Sequence, residues 1–369
     1  MMNFLKGKKT IAFLLTLILT LSASTTAFAN YYGTGRNFTS NHGGYFFTTI
    51  QALDSKWSST YNTRFILQTI WAASGNDWLE VGFMDGALAE PGNPIGYHRG
   101  YYTAIGKGST YQEYKIIGPS TTIGTNHNFQ IQRDGSSSWG VYVDYTLRRT
   151  YSDFATVSSG VDVGLETNNT VSTSAQWHNR NFQLYNGTTW SDWTTGSLSN
   201  SGVGISVSWN PSYTDINNSK TNPSARSLEG DNIITEDNSD EMYADSVELN
   251  TKPEPVLKAN IDQLMRNKSL YKATESSVID KSYLTENNGE VKTTEYMAYG
   301  EYIDKFIDSG STDIDNNRLV LVAQVYYENG FEHPRFGLIE NCLSTGIYDV
   351  ETGMYLGGSY QSLDIDQVK

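Results

Sequence analysis

The chain has 369 residues, with 26 Lys and Arg against 40 Asp and Glu, and a formal net charge of −14. A balance this acidic, without a visible cluster of basic side chains, argues against nucleic acid and anionic membrane surfaces as partners. The single cysteine, Cys342, excludes an internal disulfide framework and is expected to be a small buried side chain. The expected partners are therefore neutral or cationic.

Residues 1–29 have the features of a secretory signal peptide. Three lysines precede the apolar run IAFLLTLILTL, and Ala27 and Ala29 follow in the small-x-small arrangement that signal peptidase reads. The apolar run is short for a membrane span and ends in small residues. The sequence therefore predicts a secreted, extracellular protein of bacterial type, with no membrane attachment after cleavage.

Residues 30–210 contain short runs in which apolar side chains recur with a period of two. Examples are YFFTTIQALD, WLEVGFMDG, WGVYVDYTL and GVGISVSW, and turn signals such as Ser74-Gly75-Asn76 close them. No comparable stretch has the three-and-four spacing of an amphipathic helix. We predict an all-β antiparallel sandwich of the concanavalin-like jelly-roll class for this part of the chain.

Composition and periodicity both change after residue 210, and all eight tryptophans lie before it. Residues 211–252 are polar, contain prolines and lack periodicity, which predicts an acidic polar linker. In residues 253–369, the stretches PVLKANIDQLMRNKSLY and TEYMAYGEYIDKFIDSG have helical spacing, and strands with a tight hairpin at Glu351-Thr352-Gly353 follow. This is the pattern of a small α+β domain. Its last hairpin is similar to those of the propeptide-like inhibitory or chaperone modules that accompany secreted bacterial peptidases.

Two glutamates have matching surroundings in the predicted sandwich. Glu80 in DWLEVGFMDG and Glu166 in VDVGLETN each stand on the strand face opposite an apolar face. Each also has a glycine two places away on its own face, Gly82 and Gly164, and a glycine there leaves room for a ligand or another backbone. Solvated residues on an outer face would show the same pattern.

The order of LEVGFMDG, RGYYTAIGKGSTYQEYKIIG, HNFQIQ, WGVYVDYT and VGLETN resembles the β-sandwich of the glutamic peptidases and their concanavalin-like relatives, over roughly residues 65–195. In the fungal branch, a glutamine on an early strand and a glutamate on a late strand meet on the concave sheet. The resemblance places Glu80 at the early position and Glu166 at the late one, an arrangement similar to the two glutamates of the neprosin-like branch. Gln68 in ILQTI is a second candidate for the glutamine role.

In a carboxyl pair of this kind, one group can act as an acid and the other as a base. Two adjacent carboxyl groups do not both ionise readily, so one keeps its proton while the other accepts a proton from water. We assign Glu166 as the general base and Glu80 as the protonated group that faces the oxyanion. Trp78 and either Tyr101 or Tyr102 would form the walls of the cleft. The resulting hypothesis is an endopeptidase that acts at acid pH and carries a propeptide-like C-terminal domain.

The competing and preferred hypothesis is a non-catalytic binding protein. Aromatic side chains are frequent in the middle strands, and flat rings stack on sugar faces, so a neutral glycan or another extracellular protein is the expected partner. Aromatic residues at a period of two also occur as cross-strand core pairs. A structural or inhibitory protein whose second domain performs the recognition is a third hypothesis. The candidate ligand-binding residues are Trp78, Tyr101, Tyr102, Trp139 and Asn168.

Other chemistries have little support in the sequence. No Gly-x-Ser-x-Gly elbow lies between a strand and a helix, which argues against a serine hydrolase. The histidines are scattered without ligand spacing, and DIDNNR at 313–318 lacks the glycine and distal glutamate of a calcium loop. No metal or cofactor is predicted, and the sequence gives no indication of the oligomeric state.

Overall fold

A computed structural model describes most of the chain. The described residues are 31–50, 55–119, 121–136, 138–168, 176–193, 197–201, 205–210, 215–220, 253–307 and 309–363. The predicted signal peptide and most of the predicted linker lie outside these residues. No helix in the described ranges is long and apolar enough to cross a membrane.

The first part of the chain forms only β-strands within the described residues. They are β1 Tyr31–Asn37, β2 Gly43–Thr49, β3 Phe65–Ser74, β4 Asp77–Leu88, β5 Gly96–Lys107, β6 Thr110–Lys115, β7 Asn126–Arg133, β8 Trp139–Val143, β9 Thr146–Tyr151, β10 Gly160–Thr167, β11 Gln176–Tyr185, β12 Trp190–Asp192, β13 Ser197–Ser201, β14 Ile205–Asn210 and β15 Asp215–Lys220. The strand β15 lies inside the segment predicted as linker.

The C-terminal part, residues 253–363, contains short helices and further strands. The helices are α1 Ile261–Arg266, a 3₁₀ turn Lys268–Leu270, α2 Glu275–Val278, α3 Lys281–Glu286 and α4 Tyr299–Phe306. The strands are β16 Gly289–Ala298, β17 Ser309–Ser311, β18 Leu319–Tyr327, β19 Phe331–His333, β20 Gly337–Ile339, β21 Cys342–Asp349 and β22 Tyr355–Ser362.

The two parts share their sheets. An antiparallel sheet runs in the order β13-β1-β10-β3-β4-β5-β6-β22-β21-β18-β16, so β22 adds the C-terminal strands to the edge of β6. The opposing sheet runs β14-β15-β11-β2-β7-β8-β9-β17, with β12 paired to β11. The predicted sandwich is confirmed, and the small α+β part continues it rather than standing apart from it.

The period-two pattern assigns the two faces of the longer sheet as predicted. On β4, Leu79, Val81 and Phe83 are fully buried in the core between the two sheets. Trp78 and Met84 point to the other face and belong to a second apolar cluster. Alternate residues of a strand point to opposite faces, so Glu80 also stands on this second face, which we call the outer face.

The C-terminal part covers the outer face. Side chains from both parts build the second cluster, among them Leu67, Tyr102, Leu321, Phe331 and Tyr360. Burial of this apolar surface stabilises the docking of the C-terminal part on the sandwich. The sequence alone would allow the outer face to be exposed to solvent, but in the structure this face is buried.

The helices of the C-terminal part are shorter than the sequence predicts. The helical spacing of the first stretch yields only the six residues Ile261–Arg266, and Val256 and Met265 from its predicted apolar stripe are exposed. The second stretch forms a helix only over Tyr299–Phe306, because its first residues belong to β16 instead. The hairpin at Glu351-Thr352-Gly353 is confirmed, with Gly353 at a φ of 78°. Cys342 is buried and free, as predicted.

Candidate active site

The two predicted glutamates stand on the strands on either side of β3. Glu80 pairs in register with Trp71, and Glu166 with Leu67, which places the glutamates diagonally across Thr69. Gly82 and Gly164 flank Thr69 in the same row. A Cβ at Gly82 would lie only 2.6 Å from the Cβ of Thr69. The glycines therefore leave a depression between the two glutamates on the outer face.

The guanidinium of Arg335 occupies this depression and binds both glutamates. Its Nη1 and Nη2 donate to the two carboxylate oxygens of Glu80, the Nη2 bond measuring 2.9 Å. Its Nε and Nη2 donate to Glu166 at 3.2 and 2.5 Å. Because Nη2 contacts an oxygen of each glutamate, those two oxygens lie within roughly 5.5 Å of each other. All three side chains are buried, with Glu80 fully so.

Arg335 reaches the site from the loop of a hairpin formed by β19 and β20, residues 331–339, which we call the Arg335 hairpin. His333 pairs with Gly337 across a three-residue loop, and Gly337 has a φ of 61°, as this type of loop requires. The backbone N–H of Arg335 donates to Nδ1 of His333 at 3.2 Å. The side-chain amide of Asn168 donates to the carbonyl of Pro334 at 3.4 Å. Two side chains thus hold the first part of the loop.

Aromatic rings and a third acid hold the rest of the hairpin tip. Phe336 stacks on Trp78 with ring centroids 6.0 Å apart and packs on Tyr111 at 4.3 Å. The guanidinium carbon of Arg335 lies 5.0 Å from the centre of the Trp78 ring. Nε2 of the buried His333 lies 3.5 Å from a carboxylate oxygen of Glu113.

The site's electrostatics favour a protonated Glu80. Burial raises the pKa of Glu80 to about 7; Arg335 opposes this shift and the charge of Glu166 adds to it. Burial alone would lower the pKa of the Arg335 guanidinium, but the charges of Glu166 and Glu80 raise it well above its ordinary value. Burial also raises the pKa of the Tyr102 hydroxyl, and the charge of Glu80 adds to that shift. Arg335 and Tyr102 therefore keep their protons while Glu80 exchanges its own near neutrality.

The structure brings three of the five predicted ligand-binding residues to this site. Trp78 contacts the hairpin tip directly, Tyr102 packs on the outer face, and Asn168 binds the hairpin backbone. Tyr101 and Trp139 lie instead in the core between the two sheets, each about 1% exposed or less. Their period-two positions put them on the inner face, so they do not line the outer face.

Gln68, the second candidate for the glutamine role, also lies on the inner face. It pairs with Phe83 and Leu165, which are core residues, and its side-chain amide donates to the hydroxyl of Thr48 at 2.6 Å. Because Gln68 points to the inner face of the sheet and Glu166 to the outer face, Gln68 cannot act as the partner of Glu166. The carboxyl partner of Glu166 in this fold is Glu80.

Sequence reasoning missed Arg335, His333 and Phe336. They lie in the stretch GFEHPRFGL, where a Pro and two glycines indicate turns, but no periodicity links this stretch to the distant strands β4 and β10. A buried arginine is recognisable only once its partners are known. Among the described residues, no group of three metal-ligating side chains is close enough to hold an ion.

Comparison with known proteins adds information on the fold alone. No protein-family model and no curated protein matches the chain. Solved structures that it resembles include SCP-B, a member of the eqolisin family of peptidases, in complex with the tripeptide Ala-Ile-His, at 7% identity and a TM-score of 0.35. Scytalido-glutamic peptidase with a transition-state analogue inhibitor matches at 8% identity and a TM-score of 0.37. Each match covers 52% of this chain and 98% of the other.

These matches agree with the resemblance to the glutamic-peptidase β-sandwich that the sequence indicates, and they concern the fold only. Function therefore has to be inferred from the residues of this chain.

Proposed function

We propose that this protein is the latent form of an acid-acting endopeptidase, with Glu80 and Glu166 as its catalytic pair and residues 253–363 as its inhibitory module. The observation that carries this proposal is the single guanidinium that binds both buried carboxylates. Two acids brought this close on a sheet, with a depression between them, have the geometry of a carboxyl dyad. Arg335 fills the position that a scissile peptide would take.

The chemistry requires one protonated and one ionised carboxyl group. Glu166 accepts a proton from a water molecule, whose oxygen adds to the carbonyl carbon of the substrate. Glu80 donates a hydrogen bond and then its proton to the developing oxyanion. Glu166 then passes its proton to the amide nitrogen, the C–N bond breaks, and Glu80 regains its proton from a hydroxyl of the tetrahedral intermediate as the new carboxylic acid forms. The raised pKa of Glu80 suits the role of the protonated partner.

Latency follows from the same contacts. While Arg335 lies between the glutamates, a peptide cannot reach them, and the guanidinium charge offsets one of the two carboxylate charges. Arg335 holds the pKa of Glu80 below the value that burial alone would give, so protonation of Glu80 weakens the guanidinium contact in return. Acid thus loosens the anchor of the Arg335 hairpin and supplies the protonated acid, while the other contacts of the hairpin still hold it to the outer face.

A carboxyl pair at this spacing also suits glycoside hydrolysis, and the binding hypothesis favoured a glycan. A polypeptide already occupies this site: the hairpin lays its Pro334 carbonyl, Arg335 side chain and Phe336 ring along the outer face. Two of the aromatics expected to bind sugar, Tyr101 and Trp139, lie in the core. The peptidase is therefore the better supported of the two functions.

The test uses the purified full chain and a denatured protein substrate at pH 3–7, beside Arg335→Ala, Glu80→Gln and Glu166→Gln. We expect cleavage by the wild type at acid pH, cleavage extending to higher pH in Arg335→Ala, and none in either Gln variant. Asp162→Asn is the matched control, because Asp162 lies on the same strand and face as Glu166 and pairs with Arg36. Release of reducing sugar from neutral polysaccharides is measured in parallel. No proteolysis by folded wild type or Arg335→Ala would overturn the proposal.

A further inference from the structure

We propose that Trp78, Gly106 and Tyr111 form a substrate subsite beside the catalytic pair, and that it takes an aromatic or large aliphatic side chain of the cleaved polypeptide. The inference rests on the proposed peptidase function and specifies its substrate class. We call these three residues the aromatic cradle.

The strand register builds the aromatic cradle. Trp78 on β4 pairs with Gly106 on β5, and Gly106 pairs with Tyr111 on β6, so the three residues form one row across the sheet. A Cβ at Gly106 would lie 2.6 Å from the Trp78 indole, so only glycine lets this ring lie flat over the strand. The Trp78 and Tyr111 rings face each other with centroids 5.8 Å apart and planes inclined by 42°. The row is thus a shallow apolar trough with two aromatic walls.

Phe336 of the Arg335 hairpin occupies the trough. It stacks on Trp78 at an interplanar angle of 17° and packs on Tyr111 at 4.3 Å. Phe336 is only partly buried there, although its neighbour Arg335 is buried. An inhibitory segment that blocks a peptidase in cis sits where substrate sits, so Phe336 marks the kind of side chain that the cradle accepts.

The position of the cradle relates it to the scissile bond. Trp78 and Glu80 share a face two residues apart on β4, which corresponds to about 7 Å. An extended substrate covers the same distance in about two residues. The side chain in the cradle therefore belongs to a residue within about two positions of the cleaved bond, just as Phe336 adjoins Arg335.

Charge around the cradle excludes acidic side chains. The Tyr111 hydroxyl donates to Glu113 at 2.7 Å. A carboxylate in the trough would lose its hydration beside this acid. The walls offer ring faces, which contribute to affinity through apolar burial and stacking.

The experiment first maps the cleavage sites of the wild type in a denatured protein by mass spectrometry at acid pH. We expect Phe, Tyr, Trp or Leu to be enriched at one fixed position within two residues of the cut, and Asp and Glu to be depleted there. A pair of peptides that differ only by Phe or Ala at this position then gives kcat/KM for each. The wild type should favour the Phe peptide by about tenfold or more.

Tyr111→Ala and Trp78→Ala should each reduce this preference to within about threefold, mainly through KM, whereas Tyr111→Phe keeps the ring and should retain it. Tyr111→Phe thus separates the ring from the hydroxyl bound to Glu113. Cleavage without an aromatic preference, or a preference that survives both Ala substitutions, would overturn the cradle and leave the peptidase intact. Absence of cleavage by folded wild type and Arg335→Ala would overturn both.

Discussion

Arg335 donates to both carboxylate oxygens of Glu80, although 255 residues separate the two in the chain. The contact joins the tip of a hairpin in the C-terminal part to the floor of the sandwich. A bidentate pair of this kind is planar and directional, so it fixes the register of the whole hairpin on the outer face. Because the same guanidinium also binds Glu166, one side chain contacts both carboxyl groups of the candidate site.

Arg335→Ala should destabilise the fold at neutral pH by about 3–5 kcal/mol, because it leaves two buried carboxylates without a cation. The cost should shrink at acid pH, where Glu80 takes up a proton. Chemical denaturation at pH 7 and pH 4 measures both values.

Arg318→Ala is the matched control for that substitution. Arg318 makes a buried bidentate pair with Asp349 at 2.5 and 2.9 Å, remote from the glutamates. It should lower stability at pH 7 by a similar amount without releasing proteolysis at that pH. Equal activation by both substitutions would show that loosening of the C-terminal part suffices and that Arg335 has no special role.

The stability of the full chain should depend on pH through Glu80. Its pKa in the folded protein is about 7, above its ordinary value of 4.5, so the native state holds the proton more tightly than the unfolded chain. This contribution is fully present below about pH 4.5 and is lost as the pH rises through about 7, a change of about 3 kcal/mol. Unfolding free energies measured from pH 4 to 8 should show it in the wild type. Glu80→Gln should remove it, and an unchanged profile in that variant would assign the titration elsewhere.

The tip of the Arg335 hairpin should leave the outer face in acid. Protonation of Glu80 weakens the guanidinium contact, so Phe336 should separate from Trp78 while the rest of the fold persists. A 4-fluorophenylalanine at position 336 should give one ¹⁹F resonance at pH 7 and a second, solvent-exposed one that grows towards pH 4. The same label at Phe331, which stacks on Tyr360 within the C-terminal part, serves as the control and should not shift. Parallel changes at both positions would indicate global unfolding.

Trp139→Ala should affect stability and leave the site unchanged. Trp139 is fully buried between the sheets, and its indole N–H donates to the carbonyl of Ala155 at 2.5 Å. Removal of this ring should cost about 3–5 kcal/mol. Activity per folded molecule should remain at the wild-type level, measured by normalising cleavage rates to the folded fraction. A selective loss of activity at unchanged stability would show that Trp139 contributes to the site.

The sequence by itself determined the sandwich and the faces on which the two glutamates stand. Alternation in WLEVGFMDG and VDVGLETN settles those faces, because a strand's side-chain period is two whatever surrounds it. The inner-face position of Tyr101 is known only from its pairing with Phe83 across β4 and β5, which the sequence did not indicate. For Trp139, alternation alone cannot say which face of its own strand is the inner one.

Only the tertiary structure decided what lies above Glu80 and Glu166. That the two carboxyls meet depends on the pairing of β4 and β10 with β3, and strand order is a long-range property that local periodicity does not contain. Arg335 can bind both carboxyl groups only because β22 pairs with β6, which places the C-terminal part over the outer face. A buried cation is stable there only because its partners come from distant strands, so no local stretch of the chain could have indicated it.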